Sequence, residues 1–592
     1  MEEKLAHVTD VANEAFDFVI VGGGLAGCVL ASRLSENPNV TVVLLEAGKA
    51  HFDDSLIPAV DGWMQLLLNP EYDWVFRTTQ QQKAVNSVTT PDGHPTPSFY
   101  WSRGKGLGGS TTINFLYWTR PQREEIEATE RLGNAGWNWD RFFEASKRAE
   151  RFCAPDESAD PPNRPLYNPQ SVGHDGPIPV SFARTSSGME SIFQQALKAN
   201  GVDAIADAVS SISGSWRTAS IIDPETQTRS HAAKGYLYPA LGRQNLKVLT
   251  QAYVRRVLTK KHGDELVATG VEFEHGGEVH IVSARKEVII SAGTVKSPHV
   301  LELSGIGEPA ILQPLGIPVV LDLPPVGANV QDHLLVSAYV FEMRQDQDFI
   351  TSDTIKLPTF QTKLRQTYGD DSGPLALALS GAAFVPISGF SQRAEQLIEA
   401  QERRAAETSG TLLPGLKEQY DLQLEMLKNP SVPDIEIVVF PFSIPPNDSG
   451  KPFVGLLPSI ARPFSRGTIH ASSADPSVQP TIEPNYLSEE IDLEILVDSI
   501  KFLRKVTATS PWKEAAVGEV LPGPNVQTDE QVRDFVKNNL STTWHSCGSC
   551  SMLLKERGGV VDNKLKVYGT KNLRVADLSI LPLIVSVHTQ GT

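Results

Sequence analysis

The 592-residue chain has only four cysteines (Cys28, Cys153, Cys547 and Cys550), so it is no disulfide-stapled scaffold. Cys547-Gly548-Ser549-Cys550 has the spacing of a redox motif. No thioredoxin-like βαβ pattern surrounds it, and the two residues read as packing groups in a tight turn. Basic residues are not in excess: 53 Lys and Arg stand against 70 Asp and Glu, for a net charge of −17. That balance excludes a phosphate-neutralising surface, and with it a nucleic-acid partner. No apolar run approaches the length of a membrane span, and Met1-Glu2-Glu3-Lys4 opens no secretory signal, so a cytoplasmic location is expected. Internal repeats and long low-complexity tracts are missing too. Pro155 to Pro169 is proline-rich and reads as an extended surface connection. No residues are assigned to a metal.

What is present is an ordinary globular composition, 40% hydrophobic and 21% charged, in a chain too long for one compact core. Two or more domains are expected. Asp17 to Val21 is a short β-branched run of the kind found in buried parallel strands. Gly22, Gly24 and Gly27 follow in a G-x-G-x-x-G, then a helical pattern from Cys28 to Ser35, a second strand from Val40 to Leu45, and Glu46. Each part has a physical job. Gly22 permits a tight turn, Gly24 lets a pyrophosphate approach the backbone, and Gly27 lets helix and strand pack closely. The helix N-terminus favours phosphate charge, and Glu46 can accept hydrogen bonds from ribose hydroxyls. This predicts a dinucleotide site, and the carboxylate disfavours NADP.

A second glycine-rich stretch runs Gly104-Lys105-Gly106-Leu107-Gly108-Gly109-Ser110 and on through Asn114 to Trp118 and Pro121. Its aromatic and apolar flanks argue against a solvated loop, and its bare backbone suits close approach to a flat cofactor. It resembles the first signature of the glucose–methanol–choline (GMC) oxidoreductases. Gly293-Thr294, Ser297-Pro298 and Ser304-Gly305-Ile306-Gly307 resemble the second. Further family-like stretches, including Gln331-Asp332-His333 and Ser465-Arg466-Gly467-Thr468, extend the resemblance over nearly the whole chain.

The resemblance implies an α/β fold: a Rossmann-like FAD-binding domain of the GMC and p-hydroxybenzoate-hydroxylase kind, plus an α+β substrate domain with an antiparallel sheet. The expected division is 14–175, 225–320 and 538–592 for the FAD domain, and 176–224 and 321–537 for the substrate domain. It implies FAD contacts from Leu25, Ala26 and Ala47, and from Arg103, Gly108, Gly109, Ser110, Asn114, Phe115 and Leu116. Val254, Trp544, Asp577, Thr589 and Gln590 would complete them. Some relatives tether FAD through a histidine where this chain has Ile113, and no histidine lies between Trp101 and Arg120, so noncovalent FAD is expected. Gly559 to Asp562 and Leu573 to Asp577 resemble flavin-domain strands. The sequence stops at Thr592, where members of the resembled family continue into another helix packing on the FAD domain; whether this end is natural or truncated is left open, and without that helix a looser flavin is expected.

By the same resemblance, Thr543-Trp544-His545-Ser546 and Val587-His588-Thr589-Gln590 carry the catalytic pair. An alcohol gives up a hydride only as its hydroxyl proton leaves, so a base must reach that oxygen, and histidine titrates in the right range. His545 is implied as the base and His588 as the group that stabilises the alkoxide. The His–His pair with Thr589-Gln590-Gly591 points to the aryl-alcohol-oxidase-like branch. The reaction implied is oxidation of a primary or secondary alcohol, aryl or allylic in character or a natural-product intermediate. The electron acceptor is O2 or a quinone-like compound, and the oligomeric state is left open. The alternative is a lyase or cyclase of the same family that keeps FAD structurally. His94, His174, His231, His299, His470 and His333 read as structural. Ser391 to Leu427 reads as a solvated helix pair.

Overall fold

The computed structural model describes residues 1–85, 96–155, 167–183, 187–205, 207, 212–263, 265–347, 349–355, 357–358, 362, 379, 381–442 and 449–591. Most of the proline-rich connection, 156–166, lies outside the described residues.

Two sheets organise the chain. The first is built on β1 (Ala15–Val21), α1 (Leu25–Leu34), β2 (Val42–Leu45) and β3 (Leu246–Leu249). It continues through a meander of β4 (Tyr253–His262), β5 (Glu265–His275) and β6 (Glu278–Ile290), in the order β3-β2-β1-β6-β5-β4. β6 changes role along its length. Its first half pairs antiparallel with β5, and its second half pairs parallel with β1 and with the late strand Leu573–Val575. The parallel strands are apolar and buried toward their carboxyl ends, as strands covered on both faces must be, with Asp17, Lys247 and Arg574 among the charged exceptions. Registers Val21↔Leu45, Val21↔Ile290, Leu249↔Leu45 and Ile290↔Val575 bring all five carboxyl ends to one level. Gly22, Glu46, Ser291 and Ala576 follow these ends, and open α/β sheets bind ligands at that edge.

α2 (Gly293–Leu303) leaves the end of β6 and is almost wholly buried. The Gly559–Asp562 stretch does not join the sheet. Val561 makes only isolated bridges to Met552 and Val567, because the chain turns back on itself at Leu565.

The second sheet is antiparallel. Its strands are β7 (Leu334–Val336), β8 (Val340–Met343), β9 (Gly381–Val385), β10 (Ile435–Phe440), β11 (Phe453–Ile460), β12 (Ala516–Leu521) and β13 (Leu540–Thr542). The order is β12-β8-β11-β10-β9 followed by Gly214–Arg217, with β7 bridging β11 and β13. A small separate sheet pairs Thr468–His470 with Thr481–Glu483. In β10 the side chains alternate: Ile435, Ile437 and Val439 join the large core behind the sheet, while Glu436, Val438 and Phe440 face a cavity. The helix pair expected near 391–427 is Ala394–Thr408 and Leu416–Lys428. It is not merely solvated, since Ile398, Ala405, Leu416, Tyr420 and Leu424 pack into that core. Among the described residues, no helix is long and apolar enough to cross a membrane.

Candidate active site

Where the first sheet ends, two glycine turns meet. Gly22 has φ +99°, and a Cβ on it would lie 2.5 Å from the Ser291 carbonyl oxygen. A Cβ on Gly27 would lie 1.9 Å from the Gly22 oxygen, so only glycine lets α1 approach β1. The second turn rests on the first: Gly108 N donates to the Gly23 carbonyl at 2.8 Å. A Cβ on Gly109 would stand 2.7 Å from Gly24 Cα.

Glu46 locks the two together. Its buried carboxylate accepts from Gly23 N (2.7 Å), Gly48 N (2.8 Å) and Gly106 N (3.1 Å). Burial pushes its pKa up, and those backbone donors oppose the shift. Three backbone hydrogen bonds occupy most of the lone pairs that the sequence reading gave to a ribose. Asp577 plays a similar part across the sheet end, accepting from Gly293 N at 2.9 Å, Ser297 Oγ at 2.5 Å and Ser579 N at 2.8 Å. It thereby anchors the first turn of α2.

A continuous cavity of about 1680 Å³ starts at these turns and ends between the sheets. It exceeds the roughly 300–1,000 Å³ of a pocket for one drug-sized ligand. With glycine backbone at Gly24 and Gly109 for a wall, it fits an extended dinucleotide with a second molecule at its far end. Gly22, Leu25, Ala26, Glu46 and Ala47 line the near end, and Val254 and Asp577 flank it. Arg103, Ser110, Asn114 and Phe115 follow, then Trp544, Thr589 and Gln590.

Three residues expected to touch the cofactor do not line this cavity. Gly27 is spent on helix packing. Gly108 bonds back to Gly23. Leu116 is 1% exposed in a separate core cluster, with its N–H held by Asn114 Oδ1 at 3.1 Å.

His545 and His588 come together at the far end, with ring centroids 4.6 Å apart. Each is held by residues far away in the chain. The His545 N–H donates to Asp332 Oδ1 at 2.9 Å, and Arg103 binds the Trp544 carbonyl at 2.7 Å and Ser546 Oγ. Trp544 between them sits at φ +60°, a region bulky side chains rarely adopt, and its indole donates to the Tyr100 carbonyl at 2.8 Å. His545 Nδ1 lies 2.9 Å from Thr543 Oγ1 and 3.0 Å from His333 Nδ1. His333, assigned to the scaffold from sequence, is therefore part of the site. Burial, then the neighbouring His588, His333 and Arg103, push the His545 pKa well below its ordinary value.

His588 hangs on the C-terminal segment. Buried Glu125 accepts from Ser586 N (2.8 Å) and Ser586 Oγ (3.0 Å) and pairs with Arg462, which also pairs with Asp434. Gln331 accepts from Ile584 N at 3.1 Å and donates to the Pro582 carbonyl at 3.0 Å. The imidazole itself meets Glu436 Oε1 through Nε2 at 3.1 Å and lies against the Tyr117 ring, centroids 4.2 Å apart. Sequence reasoning missed Glu436. The signal was present as a lone carboxylate inside the apolar run Ile435–Phe440.

Aromatic rings wall this end. Phe115 stacks on Trp544 (6.0 Å, 6°) and lies tilted against Trp63 (4.3 Å, 41°), and Phe440 and Phe442 close the group at 3.8 Å from one another. Cys547 and Cys550 are both fully buried free thiols outside the cavity wall, as packing residues.

The chain matches the GMC oxidoreductase family over residues 16–335 and again over 463–592. It is 33% identical to "GMC oxidoreductase family protein Mala s 12" of Malassezia sympodialis, over 98% of this chain and 91% of that protein. In structure it is similar to an FAD-dependent oxidoreductase from Chaetomium thermophilum, with TM-score 0.86 and 26% identity over 97% of this chain and 96% of that one. It is also similar to a fungal aryl-alcohol oxidase, with TM-score 0.82 and 26% identity over the same shares. Two glycine turns at the ends of a parallel sheet, a dinucleotide-sized cavity and near-complete coverage agree: the chain belongs to the GMC oxidoreductases, FAD-dependent oxidoreductases of organic substrates.

Proposed function

We propose that this protein oxidises a primary or secondary alcohol of aryl or allylic character, with His545 as base and His588 binding the substrate oxygen. One observation carries the reading. The two imidazoles meet edge to face, 4.6 Å between centroids, in the same cavity as the glycine turns.

His545 Nδ1 is already engaged by Thr543 and His333, which leaves Nε2 for a substrate hydroxyl. Its depressed pKa keeps the ring neutral and able to take a proton. The hydroxyl proton goes to His545 as the carbinol C–H bond breaks and the C=O bond forms. His588, steadied at Nε2 by Glu436, faces the substrate oxygen, whose negative charge a proton on its other ring nitrogen would stabilise. Bound FAD supplies the acceptor for the departing hydride, and O2 or a quinone-like compound is the proposed final electron acceptor.

Gly22, Gly24, Leu25, Ala26, Glu46 and Ala47 would hold the nucleotide end, with Val254 and Asp577 beside it. Arg103, Gly109, Ser110, Asn114, Phe115, Trp544, Thr589 and Gln590 would surround the ring end. Noncovalent attachment is proposed because Ile113 is a buried aliphatic side chain with nothing to bond covalently. The rings of Trp63, Phe115, Phe440, Phe442 and Trp544 favour a flat, apolar alcohol over a sugar, whose hydroxyls would need partners they do not offer.

The test is the visible spectrum of the FAD-loaded protein, followed anaerobically during addition of benzylic, allylic and aliphatic alcohols and glucose. Bleaching by a benzylic or allylic alcohol, abolished by His545→Ala with flavin retained, is the expected result. Bleaching that survives His545→Ala, or occurs with glucose alone, overturns it. A flavin that no alcohol bleaches favours the lyase or cyclase reading.

A further inference from the structure

We infer that Arg229 is a positioning residue that turns the amide N–H2 of Asn114 toward the cavity, and that its unpaired charge makes this wall favour negative charge on the ring system of the cofactor. The inference rests on the proposed function in one respect, the placing of the flavin ring end beside Asn114.

Arg229 is fully buried in the short strand Thr228–Arg229, and it stands behind the cavity wall of which Asn114 is part. Its backbone N–H donates to the Pro58 carbonyl at 2.8 Å and its Nε to the Ile57 carbonyl at 3.0 Å. Nη1 donates to both oxygens of Asn114, the backbone carbonyl and Oδ1, each at 2.7 Å. The Leu116 N–H reaches the same Oδ1 at 3.1 Å. A guanidinium offers donors only, and so does a backbone N–H. Two donors on one side admit the Asn114 amide in a single orientation, because a flipped amide would set N–H against N–H. Nδ2 is thereby aimed the other way, where it donates to Gln590 Oε1, also on the cavity wall. Its second N–H is left for whatever fills the cavity.

Charge is the second observation. Arg120 and Arg462 are also buried, and each pairs with a carboxylate. Among the described residues Arg229 meets neutral carbonyl oxygens only, and its Nη2 is buried without a partner. Burial lowers its pKa to about 9, which leaves it charged at neutral pH. A purely structural tie would need neither a full charge nor an idle Nη2, and an ion buried without a counter-charge is costly. In a low-dielectric interior, a cation one residue behind the wall strongly attracts negative charge in the cavity. A hydride delivered to the cofactor brings negative charge to this end, and Arg229 with Asn114 Nδ2 stabilises it.

The two-electron midpoint potential of the FAD-loaded protein tests this, measured against reference dyes during slow enzymatic reduction with no alcohol present. Arg229→Met, which keeps most of the side chain's length and removes its charge, should lower the equilibrium constant for reduction at least tenfold, a fall of about 30 mV or more. Arg229→Lys keeps the charge and should stay within threefold of wild type. A Met variant within threefold of wild type overturns the inference, as does a Lys variant that falls as far as Met. Should neither variant hold flavin, the wild-type protein decides. Its reduced flavin should stay anionic at a pH where free reduced flavin takes up a proton, and protonation at the same pH as free flavin overturns the inference. A wild-type flavin that no alcohol bleaches would sink the proposed function instead, and leaves these potentials intact.

Discussion

Glu436 Oε1 accepts from His588 Nε2 at 3.1 Å, on a carboxylate 2% exposed and walled by Val438 and Phe440 of the same strand face. A carboxylate there fixes the orientation of the ring.

Removing that acceptor is expected to act on chemistry and not on cofactor binding. Glu436→Leu should slow anaerobic flavin bleaching about 10–100-fold, equivalent to about 1.4–2.7 kcal/mol of transition-state stabilisation. Glu436→Gln, which keeps a neutral acceptor, should lose less. Stopped-flow bleaching at saturating alcohol measures both, and a Leu variant at wild-type rate would falsify the role given to this contact.

The pH dependence follows from the depressed pKa of His545. A base works in its unprotonated form, which dominates above its pKa. Burial and the neighbouring His588, His333 and Arg103 lower that pKa, so the working form persists to lower pH. The bleaching rate should stay level from pH 8 down through pH 6, with its acid limb well below the ordinary value of 6.5. An acid limb centred at the ordinary value of 6.5 would contradict the assigned environment.

Contact between the two glycine turns should be intolerant of a single methyl group. Gly109→Ala adds a Cβ 2.7 Å from Gly24 Cα at φ +52°, forcing the turns apart. Overpacking of this kind costs about 1–3 kcal/mol, and the damage falls on the wall that would face the cofactor. Purified Gly109→Ala should carry far less flavin per chain than wild type. Gly242→Ala, where a Cβ meets nothing within 4 Å, should load normally. Equal loading in both would show that the turns do not form the binding wall.

Asp434 gives a stability prediction of unusual sign. Burial pushes its pKa up to about 7 from 3.8, against the attraction of Arg462. The folded protein then keeps a proton that the unfolded chain has already released, so this contribution to stability falls as pH rises from about 4 to 7. Asp434→Asn stays neutral throughout. Thermal denaturation should show the variant gaining on wild type between pH 5 and pH 7.5, and a constant difference across that range would refute the shift.

The nucleotide half was legible because its signals are local. Strand, glycine turn, helix, strand and acid follow one another between Asp17 and Glu46, and each glycine's reason lies in backbone a few residues away. The exception is Glu46 itself, whose partner Gly106 lies 60 residues on. Position in a recognised motif singled out His545 and His588, although nothing around either histidine says what holds it.

Those supports are tertiary. Glu436 stands 152 positions from His588, and His333 stands 212 from His545. Glu125, which anchors Ser586, is 461 residues away from it. No periodicity in a single sequence pairs residues at such distances. A buried carboxylate and a scaffold histidine become parts of the site only when the antiparallel sheet closes over the parallel one. Sequence alone therefore determined the cofactor class and the pair of imidazoles. Packing between the two sheets decided their hydrogen-bond partners, the burial that lowers the His545 pKa and the aromatic walls, because burial and hydrogen-bond partners are properties of the folded interior.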